Sequence, residues 1–246
     1  MRNMGELAQQ KPHLKDALEL YEKIVEFRRL TANVTVTPGS PIYKPGTVDV
    51  IFRTFLTVFN MPEAILDPLK ETMKLGQIDL SRLPLNEIPS FSLPYHQEEL
   101  STVLFLISKP YFLQLRSGVE RDVFWQHGRC PACAGAPSIS FIKQDAGRSL
   151  YCSYCENRGR WHRIGCPHCH NMHTDNLGTI EAEEEKGFTI DFCNTCKSYT
   201  KTIDYAFFDD YSLELLDIMS LPLDILAQNR GYKRHSPNPL GMMKIT

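Results

Sequence analysis

The chain has 246 residues, of which 42% are hydrophobic and 23% are charged, and its formal net charge at pH 7 is −2. This composition is typical of a soluble globular protein and excludes a disordered or collagen-like chain. The near balance of charge also excludes a general electrostatic attraction to nucleic acid.

Apolar residues are nowhere arranged for export or membrane insertion. The segment 1–20 lacks the continuous apolar stretch of a signal peptide. The longest apolar run, 100–115, contains Lys109 and Pro110 and falls short of the roughly 20 apolar residues that span a bilayer. We therefore expect a cytoplasmic protein without a membrane span, in a reducing compartment that disfavours structural disulfides.

Residues 1–121 have helical periodicity and contain no cysteine. Apolar residues that recur on one face predict a helix over 13–30, followed by two more over 48–60 and 62–76. Gly76 should end the third helix, because glycine readily adopts the left-handed backbone that closes a helix.

Prolines interrupt the later helical segments. Three prolines between 84 and 94 mark a connector, and a helix predicted over 97–115 should break at Pro110. A proline inside a helix removes a backbone donor and crowds the preceding turn, so the helix bends or stops there.

All eight cysteines lie in Cys-x-x-Cys pairs. A redox enzyme of the thioredoxin type needs only one such pair, and four short disulfide loops would be unusual in any compartment. Tetrahedral metal sites use two pairs each, because a two-residue gap lets one turn aim both sulfurs at a single ion. The pattern therefore predicts two four-sulfur metal sites, with the ligands Cys130, Cys133, Cys152, Cys155, Cys166, Cys169, Cys193 and Cys196.

The pairs can combine in three ways, including a cross-braced one, and internal repetition favours sequential pairing. Between the first two pairs lie 18 residues and between the last two lie 23, as in zinc-ribbon or rubredoxin-like sites. Each gap has two strand-like runs around a polar turn, and a third such run follows at 159–164 and 198–205. Two three-stranded ribbons are predicted, each stabilised by its ion because units of this size bury little apolar surface.

Helical spacing resumes after the ribbons, with Pro222 as an interruption and Gly231 as a stop. We predict an α+β fold: an all-helical N-terminal domain, two tandem rubredoxin-like or zinc-ribbon-like four-cysteine modules, and a C-terminal helical return. The predicted division is a helical domain at 1–121, a first metal ribbon at 122–163, a second metal ribbon at 164–205, and a C-terminal helix and tail at 206–246.

Catalytic motifs are missing from the sequence, which has no phosphate-binding loop, dinucleotide-binding glycine motif, zinc-protease motif or serine nucleophile elbow. Four-cysteine sites are closed and usually structural, whereas catalytic zinc keeps one position open. We therefore predict a protein that is not an enzyme. Iron in the same cage could cycle between oxidation states, which leaves electron transfer open.

Two clusters of polar residues near the cysteines are interpreted as structural. The histidines at 162, 168, 170 and 173 crowd around the third pair, and we interpret them as solvated residues or as donors toward a thiolate sulfur. The acidic run 183–185 is interpreted as a solvated hairpin tip.

The alternative function is nucleic-acid binding by zinc ribbons, because Arg158, Arg160, Arg163 and Trp161 form a basic and aromatic strand. Charge counting weakens this alternative. Residues 129–201 contain nine Lys and Arg against eight Asp and Glu, so that eight thiolates and two divalent ions bring the total to −3. No nucleic acid is therefore expected as a partner.

The ordered motifs CPAC, CSYC, WHRIGCPHC, CNTCKSYTK and GYKRHSPNPLG resemble the FdhE family of formate dehydrogenase accessory proteins, over residues 128–241. The resemblance implies a cytoplasmic, non-enzymatic assembly factor that binds the catalytic subunit of formate dehydrogenase during maturation. It also implies two rubredoxin-like sites that hold iron, with the eight cysteines as ligands.

One feature departs from rubredoxin-like knuckles, the turns formed by each Cys-x-x-Cys pair. Such knuckles favour glycine directly after the second cysteine, where a left-handed backbone points amides at sulfur. Here the four positions hold Ala134, Glu156, His170 and Lys197. Weaker amide-to-sulfur hydrogen bonding would alter the reduction potential of an iron site. The sequence therefore does not fix a preference for iron, and the predicted ions are iron or zinc.

Overall fold

The computed structural model describes most of the chain. The described residues are 7–9, 11–37, 39–85, 93–120, 122–143, 147–208 and 211–237, without the side chain of Glu98. Pro89 of the predicted connector, the hairpin turn at 144–146 and the tail after residue 237 lie outside these ranges.

Helices form the N-terminal part, as the apolar spacing predicts. The first three are α1 (Lys15–Thr31), α2 (Pro45–Phe59) and α3 (Glu63–Lys74). A left-handed Asn60 closes α2, and a left-handed Gly76 follows α3, where the sequence predicts its end. Apolar spacing together with these end signals therefore determines the first three helices.

The predicted helix over 97–115 is two helices, α4 (Gln97–Ile107) and α5 (Lys109–Arg116). Pro110 stands in the first turn of α5, where the N–H that proline lacks would have no helical partner. The break therefore falls at Ser108, just before the proline, and not at Pro110 itself.

Six strands form one sheet in the described part of the chain: β1 (Ile139–Lys143), β2 (Gly147–Tyr151), β3 (Arg158–Trp161), β4 (Leu177–Glu181), β5 (Phe188–Cys193) and β6 (Ser198–Asp204). Their order in the sheet is β3-β2-β1-β6-β5-β4. Strands β1, β2 and β3 pair antiparallel as the first ribbon, and β4, β5 and β6 pair antiparallel as the second. Strands β1 and β6 pair in parallel and join the two ribbons edge to edge.

Two short helices return after the sheet, α6 (Leu213–Met219) and α7 (Leu221–Asn229). The hydroxyl of Ser212 caps α6 by accepting from the N–H of Leu215 at 3.1 Å. Pro222 stands in the first turn of α7, so the predicted interruption separates these two helices.

Two hydrophobic clusters share helix α1. One face of α1, with Ile24 and Phe27, joins the other N-terminal helices and the first cysteine group in one cluster. Leu18 and Tyr21, nearer the start of α1, join the sheet and the C-terminal helices in a second cluster. The first cysteine group is therefore part of the helical core and not of a separate appendage.

The predicted α+β class is confirmed, with N-terminal helices, tandem four-cysteine units and a helical return. Within the described ranges, no helix combines the length and apolar character needed to cross a bilayer.

The expectation of a solvated acidic hairpin tip at 183–185 is wrong for one of its three residues. Glu185 is only 8% exposed, and its carboxylate pairs with Lys11 Nζ at 2.6 Å. Lys11 lies in the segment before α1, so this is a long-range contact that no local pattern predicts. Glu183 and Glu184 are exposed, as expected.

Candidate metal centres

Site 1, the first four-cysteine group, lies where the first ribbon meets the helical core. One knuckle holds Cys130 and Cys133, and the other connects β2 to β3 with Cys152 and Cys155. The Sγ atoms of Cys130 and Cys155 are 3.4 Å apart, and those of Cys133 and Cys152 are 3.5 Å apart. The four side chains are at most 8% exposed, so site 1 is enclosed.

Site 2, the second group, lies at the end of the second ribbon. The Sγ atoms of Cys166 and Cys196 are 3.6 Å apart, and those of Cys169 and Cys193 are 3.7 Å apart. Cys169 and Cys196 are half-buried, while the other two are buried. The structure thus groups the pairs sequentially, as the repetition favours, and leaves site 2 the more accessible group.

Both groups fit a tetrahedral ion. A metal–sulfur bond of about 2.3 Å gives a tetrahedron with edges of about 3.8 Å, close to the sulfur spacing here. Within each group all four Sγ atoms lie within 4.8 Å of one another, whereas a disulfide brings two sulfurs to about 2.05 Å. All eight thiols are free, so the cysteines form two cages and no disulfide.

Each knuckle turns through a left-handed residue directly after its second cysteine. The backbone N–H of that residue donates to the carbonyl of the first cysteine in the first three knuckles, at 2.8 to 2.9 Å. The knuckle geometry is therefore kept without glycine, at a strain of roughly 1 to 3 kcal/mol for each residue. The four residues are Ala134, Glu156, His170 and Lys197, with φ between 53° and 61°.

Two asparagines approach the cage sulfurs, and neither is among the predicted site residues. Asn157 Nδ2 lies 3.9 Å from Cys130 Sγ, and Asn171 Nδ2 lies 4.0 Å from Cys193 Sγ. An N–H group that faces a sulfur stabilises its thiolate form. Both asparagines follow a knuckle by two residues, in CSYCEN and CPHCHN, and this repeated spacing is the signal that could have found them.

Each cage contains one thiol with a lowered pKa. Hydrogen bonds from Cys133 and the other two thiols of site 1 hold the pKa of Cys130 well below its usual range. Burial raises the pKa of Cys193 in site 2, but backbone N–H groups, that of Cys196 first, outweigh it and place this pKa at about 7. Burial raises the pKa of Cys152, so a metal ion must displace protons, and metal binding weakens as pH falls.

A buried lysine supports site 1. Lys109 is 1% exposed, and its ammonium donates to the backbone carbonyl of Ser153 inside the second knuckle. It also lies 3.4 Å from a carboxylate oxygen of Glu214 on α6. A buried charge costs several kcal/mol unless it is paired, so Lys109 ties α5, the knuckle and α6 together.

Glu156 links the same knuckle to α1. Its carboxylate pairs with Arg28, and with Arg116 at 3.4 Å. Burial raises the pKa of Glu156, but Lys109 and then Arg28 outweigh it and lower this pKa, so the side chain is ionised. Neither Lys109 nor Glu156 can be recognised from the sequence as part of a charged network, because no local pattern marks a charge as buried.

Packed histidines border site 2. Ser198 Oγ lies 3.2 Å from Cys196 Sγ and hydrogen-bonds with His235 Nε2 at 2.6 Å. His168 stacks on His235 with ring centroids 4.6 Å apart and hydrogen-bonds with Thr200. Burial lowers the pKa of His168 to about 3, so this ring is neutral at pH 7. His168 therefore departs from the expected solvated role, while the other three histidines are exposed as expected.

The two sites meet through a backbone contact. A Cβ atom at Gly128 would lie 2.0 Å from the carbonyl oxygen of Pro167, the residue after Cys166. Gly128 also has a φ of 56°, in the left-handed region that favours glycine. The segment before site 1 thus packs directly on a knuckle of site 2.

The Gly128→Ala variant is expected to lower the free energy of unfolding by about 2 kcal/mol or more, because left-handed strain adds to the clash with Pro167. The matched control is Gly147→Ala, since Gly147 has a φ of 76° and nothing within 4 Å of its Cβ position. Urea unfolding of the metal-loaded proteins measures both. An equal loss in the two variants would show that the contact with Pro167 contributes nothing.

Known proteins are similar to this chain in sequence over most of its length. A protein from Aquifex aeolicus, named Protein FdhE homolog, is 33% identical over 216 residues, which are 82% of this chain and 75% of that protein. The chain belongs to the FdhE family. The family model described as FdhE, C-terminal domain, matches residues 164–241, which contain site 2 and the helical return. The resemblance drawn from the cysteine motifs is thereby confirmed.

Two further comparisons match at lower coverage or lower sequence identity. The Protein FdhE homolog of Haemophilus ducreyi is 30% identical over 188 residues, which are 72% of this chain and 59% of that protein. The crystal structure of the FdhE protein from Pseudomonas aeruginosa matches with a TM-score of 0.66 and 22% identity, over 92% of this chain and 88% of that one. At this identity the match establishes that the two proteins share a fold.

Proposed function

We propose that this chain is a non-enzymatic accessory protein that binds the catalytic subunit of formate dehydrogenase in the cytoplasm during maturation. Membership of the FdhE family supports this role, which the motif resemblance implies. The observation that carries the proposal is the pair of closed four-cysteine cages within a chain of that family. Four sulfurs complete a tetrahedral site and leave no position for a substrate, which favours a binding protein over an enzyme.

We further propose that the two cages each bind one metal ion, iron or zinc. The sulfur spacing supports a tetrahedral ion, and the left-handed knuckle residues give the backbone geometry that rubredoxin-like iron sites use. When bound, the ion would hold two knuckles together and fix the strands that follow them. The proposed ligands are Cys130, Cys133, Cys152 and Cys155 for one ion, and Cys166, Cys169, Cys193 and Cys196 for the other.

The placement of the basic strand gives the nucleic-acid alternative little support. Side chains alternate along β3, so Arg158 and Arg160 are exposed while Trp161 is 7% exposed. Stacking on a base requires an accessible ring. The aromatic and basic residues that suggest this alternative therefore do not form one surface.

The test uses the purified, metal-loaded chain and the purified catalytic subunit of formate dehydrogenase. We expect a complex in size-exclusion chromatography with a Kd of roughly 1 µM or lower. Absence of a complex at tens of micromolar would contradict the proposal. Tight oligonucleotide binding that weakens steeply with salt would instead support the nucleic-acid alternative.

A further inference from the structure

A charged groove of about 560 Å³ lies between α1, the first ribbon and the start of α6. Cationic side chains outnumber carboxylates in its lining by five to three. The groove is therefore locally positive on a chain whose formal net charge is −2. The cations are Arg28, Arg116, Lys143, Arg158 and Arg160, and the carboxylates are Asp122, Glu156 and Glu214.

Two of the carboxylates are already neutralised from inside the protein. Arg28 Nη1 pairs with Glu156 and, at 2.6 Å, with Glu214. Lys109, buried behind the groove, lies 3.4 Å from Glu214 and 4.0 Å from Glu156. These pairs form the inner wall of the groove, and Arg158, Arg160 and Lys143 are its outer cations.

The outer cations are available to a ligand. Arg158 and Arg160 are exposed, and within the described part of the chain neither they nor Lys143 has a carboxylate partner at 4.0 Å or less. Arg160 Nε donates to the backbone carbonyl of Asp122 at 3.2 Å, which holds the guanidinium at the rim. Lys143 Nζ lies 5.1 Å from the centroid of the Tyr205 ring. The groove therefore carries three cations that can pair with an incoming anion.

The spacing of the arginines fits an extended peptide. Arg158 and Arg160 are alternate residues of one strand, so their side chains leave the same face with a separation of about 7 Å. Carboxylates on alternate residues of an extended chain have the same separation. Each guanidinium can then hold one carboxylate with paired hydrogen bonds.

The rest of the groove disfavours a nucleic acid. Its aromatic floor, Phe141 and Tyr151, is 4% and 3% exposed, so no ring in it is open to stacking. A phosphate backbone depends on many cation contacts, and the groove offers only three outer cations. A short run of carboxylates matches the available charge better.

We propose that this groove is the docking site for an extended acidic segment of a protein partner. Arg158 and Arg160 bind alternate carboxylates of the segment and Lys143 binds a third, while Glu156 and Glu214 hold Arg28 in the wall. This inference rests on the proposed function for the identity of the partner, and the segment then belongs to the formate dehydrogenase catalytic subunit.

The first arm of the test measures the groove without that partner. Fluorescence anisotropy would follow a labelled short peptide of alternating glutamate and serine, with a glutamine–serine peptide as its neutral control. We expect the acidic peptide to bind better, and Arg158→Glu with Arg160→Glu to weaken binding by about tenfold or more. The control is Arg163→Glu with Lys186→Glu, which makes the same change of charge at exposed positions outside the groove.

The second arm repeats the comparison of the wild type, the groove variant and the control variant, now with the catalytic subunit as the ligand. Loss of affinity in the groove variant alone supports the inference, whereas equal affinity in both variants overturns it and leaves the proposed function standing. Peptide binding without subunit binding would overturn the proposed function and keep the groove as an acidic-peptide site. Failure of the acidic peptide to bind, or preference of the groove for a single-stranded oligonucleotide, overturns the docking site itself. The neutral variant Arg158→Gln with Arg160→Gln introduces no new negative charge into the strand. A loss of affinity in this variant too therefore comes from the missing arginines and not from misfolding.

Discussion

The Cys152→Ser variant is expected to lose most of its helical structure, while the Cys196→Ser variant keeps it. Cys152 is fully buried and belongs to the same hydrophobic cluster as the N-terminal helices. A structural zinc ion contributes roughly 10 to 16 kcal/mol to small metal-bound domains, as much as the whole free energy of unfolding of a typical domain. Loss of the ion from site 1 also leaves buried thiols without a partner in the middle of that cluster.

Site 2 should respond more mildly because Cys196 is half-buried at the end of the sheet. Its ribbon is also held by the parallel pairing of β6 with β1, which does not involve a cysteine. We expect Cys196→Ser to release one ion and leave the helices and the first ribbon folded.

Elemental analysis and far-ultraviolet circular dichroism measure both outcomes on protein purified without added metal. The wild type should carry about two ions per chain and Cys196→Ser about one, with an unchanged helical signal. An equal loss of helix in the two variants would contradict the assignment of site 1 to the helical core. Visible absorption on the same samples decides the metal, because ferric iron in a four-cysteine site is coloured and zinc is not.

Lys201→Met is expected to lower the free energy of unfolding by about 3 to 5 kcal/mol. Lys201 is fully buried on β6, and its Nζ lies 2.7 Å from Asp217 Oδ1 and 2.5 Å from Asp224 Oδ2. Arg234 pairs with the same two carboxylates at 2.6 and 2.9 Å. Two cations thus balance two carboxylates, and removal of the lysine leaves one buried negative charge unpaired.

Chemical denaturation of the metal-loaded proteins tests this expectation, with Lys186→Met as the control because Lys186 is exposed. The double variant Lys201→Met with Asp224→Asn restores the charge balance and keeps an acceptor for the hydroxyl of Tyr199, which donates to Asp224. It should therefore recover part of the lost stability. A loss under about 1 kcal/mol for Lys201→Met would show that the cluster is not held by this charge.

This ion cluster joins two of the sequence motifs on which the family resemblance was drawn. Tyr199 and Lys201 come from the motif CNTCKSYTK, and Arg234 comes from GYKRHSPNPLG. The two motifs are separated by the C-terminal helices, which supply Asp217 and Asp224. The motifs are therefore two sides of one buried salt-bridge network, which the sequence alone presents as unrelated segments.

Features that depend on local spacing can be predicted from the sequence alone. The Cys-x-x-Cys pairs and the repeated strand pattern predict two groups of four sulfurs on three-stranded ribbons, because a turn and a hairpin are set by neighbouring residues. Apolar periodicity and end signals such as Gly76 likewise place the helices. The borders at 121, 163 and 205 and the role of the cysteines as metal ligands stay predictions.

Features that depend on residues far apart in the chain follow from the tertiary fold and not from any local pattern. The parallel pairing of β1 with β6 merges the ribbons into one sheet, and long-range packing buries Lys109 and Lys201 beside carboxylates that no local pattern pairs with them. The basic groove exists for the same reason, since α1, β3 and α6 meet only when the whole chain has folded.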